Sequence, residues 1–321
     1  MKYLNKLFTI TVVIATLSAC NRDEIFEREQ YKHVVSLISE TEGIFNIFSE
    51  EHDASAKGDA EGYTEGYIAA SVGGTLLTTQ PITLNLAEDA SLLELYNNSN
   101  YGAESFQNAH YLSEDRYSIN EHIINIPAGE RTGSMKIRLR ADGLSPDSVY
   151  FIPLRVVKCS AYELNIPKSA VLYQIHLKNF WASTAAYNFQ YNHLGIRYEQ
   201  GSDVAISSMM MKHVHPVSAN EVRIFAGIQP FEKRLDRIEE WAMRLTMDDD
   251  GNVTITPWGK NSRFALNVTQ IDGDEDYPNV FRLIDDGWGN IFKTFLLCYE
   301  YVDRSNGVTY RMQEELRIEH K

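Results

Sequence analysis

Apolar and polar positions alternate in short bursts along most of this chain. Met135, Ile137 and Leu139 are separated by Lys136 and Arg138, with Arg140 following. That period of two belongs to a strand with one face in a core and the other in water. Similar runs at 33–39, 43–49, 67–72, 82–86, 123–126, 134–140, 150–157 and 171–177 predict strands bounded by turn residues. Pro81 marks the start of one strand. Pro153 inside another predicts an edge or a bulge, because proline has no N–H to give to a ladder. Residues 51–66 are polar and glycine-rich and read as a loop. Residues 87–97 carry Leu92, Leu93 and Leu95 beside Tyr96 and predict a short helix.

A junction at 178–181 leads into a second strand-rich half. There, 187–191, 194–198, 209–217 and 221–226 predict strands, and the charged stretch 229–240 a loop or a helical turn. Trp241, Met243, Leu245 and Met247 alternate with Ala242, Arg244 and Thr246. The turn Asp248-Asp249-Asp250-Gly251-Asn252 then sends the chain back, so 240–256 reads as a hairpin. Residues 292–302 and 308–318, around Ser305-Asn306-Gly307, predict a last hairpin. The expected fold class is all-β: an N-terminal β-sandwich at 31–180, then a second antiparallel β domain at 181–321, barrel-like or a sandwich.

The first 20 residues differ in kind. Lys2 and Lys6 precede a short apolar stretch at 7–17, too short to span a bilayer, which reads as a secretory signal. It ends Leu17-Ser18-Ala19-Cys20, which resembles the bacterial lipobox. The expectation is a signal peptide at 1–19 and lipidation of Cys20, with enough acyl chains for stable anchoring. Residues 20–30 form an acidic tether with Asp23, Glu24, Glu27 and Glu29. It resembles the stretch that sends lipoproteins of gut Bacteroidetes to the outer face of the outer membrane; a merely solvated tether is the alternative.

Composition removes several classes. Apolar residues are 44% and charged residues 23%, as in a globular protein. With 44 acids against 30 Lys and Arg, the net charge is −14, which repels a phosphate backbone, so no nucleic-acid partner is expected. Cys159 and Cys298 remain after lipidation; they lie in apolar strands of different predicted domains and read as free thiols.

Candidate chemistry is sparse. His213-Val214-His215 would share one strand face and could grip a metal, or sit on the solvent face of an edge strand; the second reading is preferred. Asp248, Asp250 and Asn252 begin like a calcium loop, but Val253 and Gly259 occupy the positions that need Gly and Glu, so a turn is expected. Asp272, Asp274, Glu275 and Asp276 read as a solvated acidic loop. No serine elbow, phosphate-binding loop or patterned carboxylates occur, so neither an enzyme nor a cofactor is expected. What remains is aromatic. Trp258, Trp288 and Tyr277 flank glycine or proline outside the predicted strands, where a ring could stack on a sugar or fold back as a lid. Trp181 and Trp241 are assigned to junction and core packing.

Two family resemblances accompany these patterns. Leu84-Asn85-Leu86, Leu95-Tyr96-Asn97, Tyr117-Ser118-Ile119, Ile126-Pro127-Ala128-Gly129-Glu130, Tyr150-Phe151-Ile152-Pro153-Leu154 and Leu172-Tyr173-Gln174-Ile175 occur in order. Over 31–180 this resembles the DUF1735 domain of Bacteroidetes surface lipoproteins, although Leu112-Ser113 replaces the usual Leu-Pro. Asp250-Gly251-Asn252-Val253, Asn279-Val280-Phe281 and Phe295-Leu296-Leu297-Cys298-Tyr299 resemble DUF4361, with Phe281 where a tyrosine is common. The resemblance implies a non-catalytic glycan-binding accessory of a polysaccharide or glycoprotein-glycan uptake system. Its partners would be a glycan ligand, an outer-membrane glycan importer or neighbouring surface lipoproteins, with membrane contact through the lipid anchor only. A structural or assembly role beside other surface lipoproteins is the alternative.

Overall fold

The computed structural model describes residues 29–41, 44–55, 59–102, 107–185, 190–259 and 263–320. The signal segment, Cys20 and most of the acidic tether lie outside the described residues.

In chain order, the first half contains β1 (Val34–Leu37), β2 (Ile47–Asp53), β3 (Thr64–Val72), β4 (Ile82–Glu88), α1 (Ala90–Asn100), β5 (His110–Tyr111) and β6 (Tyr117–Ser118). It continues with β7 (Ile123–Ile126), β8 (Thr132–Leu139), β9 (Tyr150–Cys159), β10 (Glu163–Leu164) and β11 (Ala170–Lys178). Two sheets result, ordered β10-β1-β3-β8-β6 and β2-β11-β9-β4-β7, with β5 paired to β9. One core fills the space between them, built from alternate residues such as Ile68, Leu84, Met135, Ile137 and Ile152. This is the expected sandwich. The outward partners on β8 pair with acids instead: Lys136 with Glu65 at 2.8 Å, and Arg138 with Asp59 and Glu61. Exposed pairs of this kind are screened by water and salt and add little to stability.

Two local expectations change. The strand expected at 43–49 begins at Ile47 and runs on to Asp53, and within it Glu50 accepts the Tyr67 N–H at 2.9 Å and the Tyr173 hydroxyl. Pro153 lies in a central strand and not at an edge. Its carbonyl accepts the Asp89 N–H at 3.0 Å. Its missing N–H therefore faces the end of β4, where the chain turns into α1 and no ladder bond is lost. The register shift falls opposite Asn85 and Leu86 instead.

A polar cluster crosses this core. His52 contacts the Tyr173 hydroxyl at 2.8 Å and the Thr64 hydroxyl at 3.0 Å. A Cβ on Gly66 would sit 2.0 Å from the Tyr173 oxygen, so only glycine leaves room for the cluster. Burial, aided by Lys178 and His176, pushes the His52 pKa from 6.5 down to about 4.

The second half holds β12 (Gln190–Glu199), β13 (Ala205–His213), β14 (His215–Ser218), β15 (Glu221–Phe225), α2 (Leu235–Trp241) and β16 (Ala242–Met247). It ends with β17 (Val253–Pro257), β18 (Val268–Gln270), β19 (Val280–Asp285), β20 (Ile291–Asp303) and β21 (Val308–Glu319). The sheets run β13-β12-β21-β20-β18, with β19 on β20, and β14-β15-β16-β17. Their edges meet. Ile255 N–H donates to Gln270 Oε1 at 2.7 Å, and Val253 N–H to the Asn279 carbonyl at 2.8 Å. On the other side β13 passes into β14 through buried Val214. The domain is thus barrel-like, with Trp241 buried in its core as expected.

Asn279 explains part of the second resemblance. It is buried at φ +56°, and its amide donates to the Ile271 carbonyl at 2.6 Å and accepts the Cys298 N–H at 2.8 Å. Phe281 packs on Phe295 and Trp181, so the ring serves the core and needs no hydroxyl. Cys298 is buried and Cys159 half-buried, and both thiols are free.

The barrel interior contains charge. Lys212 pairs with Glu314, His193 Nε2 lies 3.0 Å from the same carboxylate, and the Tyr299 hydroxyl donates to it at 2.9 Å. Burial alone would raise the Glu314 pKa, but Lys212 and His193 more than offset that and hold it below the usual carboxylate range. Removing one partner of a buried pair strands the other, so Lys212→Met is expected to cost about 3–5 kcal/mol in urea unfolding, and adding Glu314→Leu to recover much of it. The His52 shift predicts a second effect. The unfolded chain takes up that proton below pH 6.5 and the fold resists until about pH 4, so stability falls as pH drops through this window. The part due to His52 is about 3 kcal/mol, and urea titrations of His52→Asn across the window should lack it.

Candidate functional site

The two β domains meet along a fixed junction. Asn179 donates to the carbonyls of Ser218 at 2.8 Å and Glu221 at 3.0 Å, while its oxygen accepts the Trp181 and Ala182 N–H groups. Ser183 donates to Glu51 at 2.5 Å. Trp181 packs edge-on to Phe180 and Phe281, the junction role expected for it. At the centre, Arg223 of β15 is 0% exposed and grips Asp147, from the β8–β9 connection, through both terminal nitrogens, one bond being 2.6 Å. Arg223 and Arg244 lie over the Trp258 ring at 4.9 and 5.1 Å from its centroid. Trp258 is therefore a half-buried packing element and not a ring held out toward ligand.

Beside this latch lies a cavity of about 240 Å³ lined by both domains. The first domain contributes Asp147 and Gln174, the second Gln190, His213, His215 and Phe231. His213 and His215 do not share a strand: the chain changes sheets between them. Nor do they face solvent from an edge strand, since His215 is buried. Their rings are nearly parallel, at 13° with centroids 6.0 Å apart, and Phe231 lies 5.0 and 4.6 Å from them. Among the described residues no group of three or more His, Cys, Asp or Glu is placed to hold a metal. Burial holds both imidazoles below their ordinary pKa, His215 well below, with Arg223 and His213 adding to the effect there.

Tyr277 sits on the outer face of the β13–β12–β21–β20 sheet. It lines an open groove of about 360 Å³ with Leu194, Ile196 and Met209. Its loop is not a free acidic tail. Asp274, with a side chain 7% exposed, accepts from Arg311 at 2.7 Å and Gln313 at 2.5 Å and from the Tyr277 N–H at 3.0 Å. Burial, then Glu315, Asp276 and Asp274, raise the Tyr277 pKa, so it remains a neutral donor.

Trp288 is 90% exposed at the tip of the β19–β20 hairpin. Asp286 Oδ1 accepts the N–H groups of Trp288 at 2.8 Å and Asn290 at 3.2 Å, and Oδ2 accepts the Asn290 amide at 2.9 Å. The β16–β17 turn has the same design. Asp248 Oδ1 accepts the N–H groups of Asp250 at 3.0 Å and Asn252 at 2.8 Å, and Oδ2 the Asn252 amide at 2.8 Å. Gly251 and Gly289 occupy equivalent left-handed positions, φ +81° and +93°. The turn motif therefore does not demand an indole, because its twin holds Asp250 where this one holds Trp288. The three aromatic candidates are not gathered: neither Trp258 nor Trp288 lines the Tyr277 groove.

Residues 33–163 match a family of N-terminal domains, and residues 169–317 match the C-terminal domain that goes with it. The chain belongs to this two-domain family, whose N-terminal domain is of the DUF1735 type and whose C-terminal domain is close to DUF4361. No curated protein matches the sequence. Solved structures share the fold at low identity. A Bacteroides ovatus protein of unknown function has a TM-score of 0.65 at 15% identity, covering 89% of this chain and 94% of that one. A Bacteroides ovatus multidomain protein including DUF1735 has a TM-score of 0.64 at 14% identity, covering 89% and 94%. A Bacteroides thetaiotaomicron protein described as an auxiliary nutrient binding protein has a TM-score of 0.56 at 16% identity, covering 84% and 90%.

Sequence reasoning missed the cavity, Arg223 and Phe231. The one available signal was a cation inside the apolar run of β15. Replacing Asp147 by Ala leaves Arg223 buried and unpaired. The expected cost is about 2–5 kcal/mol in unfolding free energy, with faster proteolysis of the 178–185 junction.

Proposed function

We propose that this chain is an outer-membrane surface lipoprotein, anchored through Cys20 and facing the cell exterior, that binds glycan without cleaving it. It would present that glycan to an outer-membrane importer or to neighbouring surface lipoproteins. The signal, lipobox and acidic tether support the location. Among the described residues no helix is long and apolar enough to cross a membrane. Glu29, at the described end of the proposed tether, accepts the Thr75 N–H at 2.7 Å, beside the β3–β4 loop of the first domain. The fold relative described as an auxiliary nutrient binding protein is consistent with nutrient capture.

One observation carries the glycan reading: Trp288 is held in water on a locked turn that has no structural need of it. A flat ring displayed on a rigid support stacks on the C–H face of a sugar with little entropy to lose. Its β-hairpin belongs to the second domain, so binding is assigned there, and the Tyr277 groove offers a further aromatic contact.

A second reading, assembly with another surface protein, draws on the end strand β13. It leaves Met209 82% and Met211 46% exposed beside Leu194. Titrating the purified chain against a glycan panel by calorimetry separates the two. Glycan binding predicts saturable heat with at least one member, weakened about 30-fold by Trp288→Ala, as for an aromatic anchor contributing about 2 kcal/mol. A folded chain that binds no member favours assembly.

A further inference from the structure

We propose that the end of the first domain formed by the β3–β4 loop is a lipid-contacting surface, where Leu76, Leu77 and Tyr31 seat on the bilayer that holds the Cys20 anchor. This contact presupposes the anchoring at Cys20 proposed above. Glu29 lies nine residues on from Cys20, so in any conformation the two are within about 30 Å of each other. Glu29 is fixed to the domain, because its carboxylate accepts the Thr75 N–H at 2.7 Å and the Leu76 N–H at 3.3 Å. The β3–β4 end is therefore the part of the domain that the anchor keeps near the membrane.

The loop backbone is held from several sides. The Thr75 hydroxyl accepts the Gln30 and Tyr31 N–H groups, each at 3.0 Å. Arg131 donates to the carbonyls of Gly74 at 3.0 Å and Thr75 at 3.2 Å. The Gly129 N–H reaches the Thr78 carbonyl at 2.8 Å and its hydroxyl at 3.0 Å. Yet Tyr31 is 73% exposed, Leu77 54%, and Leu76 is exposed beside it. Apolar side chains on a pinned loop lose little freedom when covered, and a tyrosine suits the boundary between headgroups and water. The neighbouring charges are engaged: Glu29 and Arg131 by the backbone groups just named, Lys32 by Glu163. This end thus offers apolar area, which matches lipid and not an ionic partner. So small a patch would not bind vesicles alone, but acyl chains that hold it at the surface let it decide which end faces the bilayer. The second domain lies at the other end. β3 starts at Thr64, whose hydroxyl meets His52 at 3.0 Å, near the point where the Ala54 N–H donates to the Lys178 carbonyl at 2.8 Å and the chain enters the junction. It ends at Val72, 9 residues and about 30 Å further along. Seating the β3–β4 end on lipid carries the second domain, with Trp288, away from the bilayer.

The test attaches the chain from Cys20 onward, through that thiol, to a maleimide-bearing lipid in phosphatidylcholine vesicles. Cys159→Ser directs the coupling to Cys20, since Cys298 is buried. Hydroxyl-radical footprinting read by mass spectrometry then compares the attached chain with the same chain capped at Cys20 and mixed with vesicles. Attachment is expected to remove most of the oxidation of Tyr31, Leu76 and Leu77, and to leave Met209 and Trp288 as reactive as before. Leu76→Ser combined with Leu77→Ser, both at exposed positions, should return Tyr31 to the reactivity of the capped chain. The contact is overturned if Tyr31 and the two leucines stay fully reactive on attachment, if Trp288 is protected in their place, or if the double variant keeps its protection. The lipid on Cys20 is read separately, from the mass of that peptide in protein taken from cells. A bare Cys20 there overturns the anchor and this contact with it, whereas a lipidated Cys20 with unprotected Tyr31 overturns the contact alone.

Discussion

Arg223 is a cation with no water around it, and much of the second half's geometry answers to that fact. A guanidinium at 0% exposure must find its counter-charge inside the protein. It finds Asp147, which belongs to the other domain. The two sheets systems therefore cannot slide past each other without uncovering a buried charge. The same placement consumes Trp258 as a stacking partner. A hydrophobic contact of equal area would tolerate small shifts; a two-point charge-assisted bond does not.

Each domain repeats the device internally. The sandwich core carries His52, Tyr173 and Glu50, admitted by the missing side chain of Gly66. The barrel core carries Lys212, Glu314, His193 and Tyr299, and a Cβ on Gly195 would collide with His193 at 2.6 Å. Apolar packing supplies most of the stability of such folds, but it is not directional. Directional polar contacts within it favour one register over its neighbours, since a strand slipped by one residue would pull these partners apart.

How much of this was legible beforehand follows from what each residue contacts. Alternation along β8 and β16, and the turn residues at 248–252 and 305–307, are local signals, and those elements formed where expected. The helix beginning at Ala90 formed as well, with Asp89 capping it through the Ser91 N–H. Non-local partners were not legible. Asp274 looked like one acid among four, yet Arg311 and Gln313, far along the chain, make it the clamp of its loop. His213-Val214-His215 looked like three consecutive strand positions, because nothing in the tripeptide announces a change of sheet. The inward cations Lys212 and Arg223 broke their apolar runs visibly. A charge in such a place marks a buried partner, but its identity emerges only from the fold.

If Trp288 is kept in water to stack on sugar, the most direct measurement is a crystal structure of the chain soaked with a glycan that it binds. Sugar density stacked on Trp288, in contact with the β19–β20 hairpin, is the predicted result. Density confined to the first domain, with the Trp288 ring still bare, would contradict it.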